Sequence, residues 1–401
     1  KGAHSTIISL PNADGTVEKF EVFEASNFAP ELQARFPEIR AFSGRGITDR
    51  SATLKLSISP QGIQTMVFRT NGPNEYIEPY SQDRTVYAVF KSQRGKGGLP
   101  WVCSTQDQQM AQSLNNRVSL IESNAGQLKT MRLAQSCNGE YSNFFGATSA
   151  AQVGLVLAAF NATLTRCNGC YEKDLAIHLN LVPESVNVIF YNPATDPYSA
   201  LNNWNTELQI TLNTTLTGPG TPLAVNNAAY DIGHMFGASG GGGNAGCIGC
   251  VCVDGTASGT GSTKGRGITS PADGIPQGDN FDIDYVAHEV GHQMGGNHTF
   301  SMSNEGLGQN KEVGSGITIM GYAGITAQDV APHSIDIFHE TSIQQIQVNM
   351  VGKTCPITTN QAGINATPVV AALTSYTIPI STPFVLTGSA SDADPGDVLT
   401  Y

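Results

Sequence analysis

Three of the eight histidines crowd into eleven residues, in the run Asp284-Tyr285-Val286-Ala287-His288-Glu289-Val290-Gly291-His292-Gln293-Met294-Gly295-Gly296-Asn297-His298. On a helix His288 and His292, four apart, stand one turn above the other on one face, so both imidazoles can reach a single ion. Glu289 lies one residue round the helix and cannot share that line, but its carboxylate can reach a water on the ion and take its proton. Gly295 tolerates the left-handed backbone at which a helix stops cheaply, and the reversed chain can bring His298 back as a third ligand. Three neutral nitrogens leave the fourth tetrahedral position for water, the open arrangement of catalytic zinc. A bare HExxH is often an ordinary amphipathic helix with paired charges. The extended HExxHxxGxxH demands more, and here Asp282 or Asp284 offers a cap and a glycine falls where the helix must end.

The elements around this run divide the chain of 401 residues. Up to about residue 100 apolar and polar side chains alternate, with Phe20 and Val22 after the Asp14-Gly15 turn, then Ala52 to Ile58, then Ile63 to Val67 after Ser59-Pro60-Gln61-Gly62. That pattern predicts an antiparallel β domain over 1–105. A polar stretch over 106–130 predicts a linker, with Arg117, Lys129 and Arg132 open to an activating protease. Beyond it the pattern becomes mixed α/β: a helix from Thr148/Ser149 through Leu164, a strand over Leu175 to Leu181, another from Val186 to Tyr191, and a second helix over 203–216. Gly240 to Gly243 reads as a flexible loop, not a phosphate loop, since no Gly-Lys-Ser/Thr follows. From 356 to 401 short β segments with proline breaks predict the start of a β sandwich that continues beyond Tyr401.

At the histidine run the chain resembles the metzincin zinc endopeptidases, and among them secreted bacterial reprolysin-like (adamalysin-like) proteases. The resemblance covers 131–355 and implies an α/β (α+β) catalytic domain with a twisted mixed sheet and an active-site helix. It implies a methionine in a tight turn beneath the histidines, which Gly316-Ile317-Thr318-Ile319-Met320-Gly321-Tyr322 supplies. By this resemblance His288, His292 and His298 hold zinc, Glu289 is the general base, Met320 is the apolar floor, and Tyr322 is a second catalytic residue near the metal. Thr299 follows the third histidine, where adamalysin-type enzymes carry Asp and astacin-type enzymes Glu; Thr299-Phe300 and Met320-Gly321-Tyr322 also resemble pappalysins. The substrate implied is a polypeptide bound extended along an edge strand, for which Cys247 to Val253 is the candidate. Zinc would acidify its water and polarise the scissile carbonyl while Glu289 carries the proton to the leaving amine.

The resemblance extends, less specifically, to a propeptide-like N-terminal domain and to an Ig/cadherin-like module after 356. Cys103 stands just before the linker, and a thiolate there could occupy the metal's open position as in cysteine-switch latency; the bland alternative is a structural disulfide. The chain so read is a secreted zymogen. The rival readings are a narrow-specificity pappalysin-like protease and a catalytically silent adhesion or binding module.

Composition narrows the partners. With 21 Lys+Arg against 33 Asp+Glu, the chain lacks the basic footprint of a general nucleic-acid or anionic-membrane binder. No run of about 18 apolar residues predicts a membrane span, and KGAHSTIISL has no signal-peptide core. The eight cysteines fit an oxidising, extracellular compartment, with Cys250 and Cys252 taking different partners. Cys167-x2-Cys170 with Cys247-x2-Cys250 could also be written as a zinc site. His178, His234, His333 and His339 read as structural. Asp392, Asp394 and Asp397 resemble a calcium loop, though an Asp-Pro-Gly turn has the same composition.

Overall fold

The structure, a computed structural model, describes residues 4–92, 102–107, 126–303, 309–361, 365–366, 368–394 and 396–399. Seven strands form an antiparallel meander in chain order: β1 Ser5–Pro11, β2 Val17–Glu24, β3 Arg40–Gly46, β4 Thr53–Ser59, β5 Gly62–Phe68, β6 Glu75–Pro79 and β7 Tyr87–Lys91. A short helix, α1 (Pro30–Arg35), interrupts it between β2 and β3. Phe20, Val22, Leu54, Leu56 and Val67 pack on one face as a small core of their own.

The second sheet is mixed. β8 (Gln127–Cys137) pairs in parallel with β9 (Ile177–Leu181) and β10 (Ile232–Phe236); β11 (Gly242–Asn244) runs antiparallel to β12 (Gly267–Ser270), which is parallel to β10. Helices α2 (Gly139–Phe144), α3 (Val153–Leu175), α4 (Trp204–Thr215) and α5 (Leu223–Ala228) are joined to these strands, and α6 (His288–Met294) and α7 (Glu340–Val351) follow. β13 (Ile357–Asn360) returns antiparallel to the start of β8.

Several sequence expectations are corrected. The linker ends earlier than 130, because β8 begins at Gln127. Lys129 is buried in it, and the Arg132 guanidinium is held by Asp231 at 2.6 Å, so neither lies open to a protease. Arg117 and most of the linker fall outside the described residues. Just beyond 355, β13 adds to the same sheet as β8. Val186 to Tyr191 is not a strand: Pro183–Val188 is a 3-10 turn, and only Ile189 bridges to Cys137. After β13 the one ladder among described residues is two residues long, β14 (Val369–Val370) with β15 (Ala390–Ser391).

α3 runs a full 23 residues, well past Leu164, because the polar face that would mark solvent is covered by the N-terminal sheet. Asn27 donates to Asn161 Oδ1 and Thr165, Lys55 pairs with Glu172, and Gly169 leaves room for the Phe68 ring, which a Cβ would meet at 2.8 Å. The central core therefore spans both sheets, with Leu32, Met66 and Tyr76 joined to Leu133, Phe160, Phe281 and Met294. Arg166 is fully buried at this junction, ion-paired to Glu78 of β6 at 2.6 Å and to Asp282 at 2.9 Å.

Candidate metal centre

The active-site helix is approached through a π-helical stretch, Asn280–Ala287, that continues into α6. Neither acid expected to cap it does so. Asp282 lies inside the stretch, where its carboxylate pairs with Arg166 and accepts from Thr163, and Asp284 accepts from the Ser334 amide. The end of the helix is as expected: Gly295 takes φ +127° and donates to the carbonyls of Gly291 and His292.

That reversal brings three imidazoles together. His292 Nε2 lies 3.1 Å from Nε2 of both His288 and His298, and Cys103 Sγ is 3.7 Å from His292 Nε2. Nitrogens held at about 2.0–2.1 Å around a tetrahedral ion stand about 3.3 Å apart, and a sulfur at about 2.3 Å stands about 3.6 Å from each. The four ligand atoms thus fit one zinc-sized ion and lie within 4.8 Å of one another, all buried. On His288 and His292 the other ring nitrogen donates to a carbonyl, of Ile319 at 2.7 Å and of Gly296 at 2.6 Å. That fixes the tautomer in which Nε2 carries the free pair. Burial, with the neighbouring His298 charge, pushes His288 down to about 3 and His292 well below its ordinary value, so both are neutral donors. Burial and the Glu289 charge push the Cys103 thiol up to about 11; a cation at the centre would reverse this, since coordination deprotonates a thiol.

Glu289 is completely buried beside the cluster, and burial pushes it up to about 7 against the pull of the Cys103 thiol and Thr105 hydroxyl. Its Oε2 accepts from Thr105 Oγ1 at 3.0 Å while Oε1 has no hydrogen-bond partner. The carboxylate lies against β11: a Cβ on Gly243 would stand 2.1 Å from Oε1, so only glycine fits at that point of the strand. Met320 is fully buried beneath the helix, with Sδ 2.6 Å from where a Gly291 Cβ would be. The Tyr322 ring packs on His298 at 4.8 Å, and its hydroxyl donates to the Cys103 carbonyl at 3.4 Å.

The edge strand is β11, not Cys247 to Val253, which forms turns. Residues 102–105 lie along it: Ser104 N donates to Gly243 O at 2.9 Å and Gly243 N to Val102 O at 3.1 Å, a parallel pairing with Cys103 opposite Gly243. Three alternate side chains of this segment meet three parts of the cluster. Cys103 faces the imidazoles, Thr105 bonds Glu289, and Asp107 Oδ1 accepts from His298 Nδ1 at 3.1 Å and from its amide at 3.0 Å. Thr105 and Asp107 escape a search for metal ligands; their signal is the period of two that turns 103, 105 and 107 of an extended segment to one side.

Among the remaining cysteines, Cys250 and Cys252 take different disulfide partners as expected, while the others depart from the sequence alternatives. Cys247 bonds Cys250 and Cys252 bonds Cys355, whereas Cys137, Cys167 and Cys170 are buried free thiols. A four-cysteine zinc site is excluded because Cys167 and Cys170 point from α3 to the carbonyls of Asp282 and Asp336. Asp392, Asp394 and Asp397 do gather, but Asp392 accepts the Asp394 amide as in an ordinary turn, and Asp394 accepts from the Ala366 amide. No helix among the described residues is long and apolar enough to cross a membrane.

A buried three-imidazole cluster with an adjacent carboxylate, set under the edge strand of a mixed α/β domain, defines a site of the metallopeptidase class. Residues 127–350, more than half of the chain, match the model of metallo-peptidase family M12B, reprolysin-like, and the chain belongs to that family. It is accordingly a metzincin-like metalloprotease with a metal, typically zinc, and polypeptide substrates. No curated protein matches the chain.

Proposed function

We propose that the protein is an exported zinc endopeptidase in latent form, with 1–105 as its propeptide. The observation that carries this is the cluster of three histidine Nε2 atoms and the Cys103 thiol around one ion-sized space, with Glu289 beside it. His288, His292 and His298 would hold the zinc and Cys103 its fourth position. Bound zinc supplies Lewis acidity, polarising a scissile carbonyl and acidifying a water.

The chain's own residues do the rest. Once residues 102–107 leave, β11 offers its free amides and carbonyls to an extended substrate, which would lie in the groove they held. Glu289, freed from Thr105, takes a proton from the attacking water and returns it to the leaving amine; a carboxyl raised by burial toward neutral pH suits both transfers. The Tyr322 hydroxyl loses the Cys103 carbonyl and becomes available to the oxyanion. Two disulfides support an oxidising, extracellular location. An activating protease would cut within 108–125, where Arg117 offers a basic site.

Elemental analysis together with casein hydrolysis, before and after limited trypsin treatment, tests the reading. One zinc per chain is expected, with activity appearing on nicking and falling by about 10²–10⁴-fold in Glu289→Gln while zinc is retained. Zinc without activity after nicking would leave a binding module; absence of zinc would overturn the whole proposal.

A further inference from the structure

Glu312 lies in none of the motifs around the histidines, yet its carboxylate is a meeting point of the site's supports. Oε1 accepts from the amides of Ile317 at 2.9 Å and Thr318 at 3.1 Å; Oε2 accepts from the hydroxyls of Thr299 and Thr318, both at 2.5 Å. Four donors converge on a group that only accepts, which an ionised carboxylate matches and a neutral amide does not. Its own amide donates to Thr299 O at 2.9 Å, and Thr299 N donates to Met320 O at 3.2 Å. Gly316, at φ +74°, leaves the space: a Cβ there would stand 3.0 Å from Oε2.

The two ends of this network are the first and third histidines. Thr299 directly follows His298. Thr318 directly precedes Ile319, whose carbonyl accepts from His288 Nδ1 at 2.7 Å and whose amide is anchored on Ile337 O at 2.9 Å. A path of bonds therefore runs from His298 through Thr299, Glu312 and Thr318 to the carbonyl that orients His288. Glu312 reaches both sides of this path by its side chain, so loosening it frees the His298 backbone and the turn over Met320 together.

We propose that Glu312 is a positioning residue of the metal centre, fixing the distance between the first and third histidines by tying Thr299 to the turn 316–320. This rests on the assignment of His288, His292 and His298 as zinc ligands. The residue next to the third histidine is here a hydroxyl, and the charge that completes the support comes from thirteen positions further along the chain.

The test is the zinc affinity of the full chain, measured by competition with a chromophoric chelator, for wild type, Glu312→Ala, Thr299→Val and Thr299→Ser. Removing an outer support of metal-ligating histidines costs about 10–100-fold in metal affinity or activity. Glu312→Ala should weaken zinc by that factor and shift the visible absorption of the cobalt(II)-substituted protein. Thr299→Val, which keeps shape and loses one bond to Oε2, should weaken zinc in the same direction, and Thr299→Ser should restore it. A brace for the loop alone would lower the melting temperature and leave the affinity and the cobalt spectrum unchanged. That result in Glu312→Ala, or in Thr299→Val if the alanine variant does not fold, overturns the proposal. Failure of wild type to bind zinc would instead overturn the ligand assignment.

Discussion

If Thr105 holds the latent state by bonding Glu289, deleting its hydroxyl alone must loosen that state. Thr105 Oγ1 donates to Glu289 Oε2 at 3.0 Å and accepts from the Ala245 amide at 2.8 Å, in a place where all three groups are buried. Thr105→Val keeps the branched shape and removes both bonds. It strands a carboxylate oxygen whose partner Oε1 is already without a donor, and an amide of the chain just after β11. Leaving buried polar groups unpaired costs about 1–3 kcal/mol. Once the segment lifts, water reaches Glu289 and Ala245 in variant and wild type alike, so the cost falls on the docked state only. The fraction of uncleaved chains with an open site should therefore rise about 5- to 150-fold. The assay is hydrolysis of a quenched fluorogenic peptide by uncleaved protein, scaled to the rate after nicking. Thr105→Ser should stay near wild type, and Cys103→Ala, which removes the proposed fourth ligand, should exceed Thr105→Val. If Cys103→Ala is active uncleaved while Thr105→Val is no more active than wild type, the thiol alone maintains latency and the argument fails.

Two further outcomes follow from the junction of the sheets. Arg166→Met leaves Asp282 buried without its cation, and breaking a buried pair in this way costs about 3–5 kcal/mol; urea unfolding should show the loss, and a change below about 1 kcal/mol would mean that Thr163 alone satisfies Asp282. Asp336, which accepts from Asn74 and Tyr76, is pushed up to about 8 from 3.8 by burial and then by the charges of Asp279 and Asp284. Between those values the folded chain binds the extra proton, so the contribution of Asp336 to stability should fall as pH rises from about 4 to about 8 and then level. Asp336→Asn should flatten that slope by at least about 1.4 kcal/mol across the window, and an unchanged profile of urea midpoints in the variant would show that another group carries it.

What could be read in advance depended on whether a signal was local. His288, Glu289, His292, Gly295 and His298 are fixed by helix geometry within eleven residues, so their convergence follows from neighbours along the chain, whereas Met320 was legible only through the family resemblance. β11 could not be read this way. Gly242 and Gly243 carry no side chains to alternate, and Gly243 is bare because Glu289 occupies the volume its Cβ would fill. The start of β8 was hidden for the opposite reason: its Lys129 is polar but buried, and the pairing with β9 and β13 that buries it comes from distant segments. Glu312 carries no local signal either, because its partners Thr299 and Thr318 are brought to it only by the fold of the chain.

The segment 102–107 joins both cases. Its period of two, with Cys103, Thr105 and Asp107 to one side, is written in the sequence, but it had no meaning without the strand it adds to. With β11 in place, the proposed latency would be the property of a segment paired to that edge, which meets the histidine cluster, Glu289 and His298 at three successive alternate positions. A peptide that enters the groove must then displace backbone pairing as well as a thiol. On the proposed reading a cut in the linker would remove the tether, and with it the high local concentration that lets the segment win that competition.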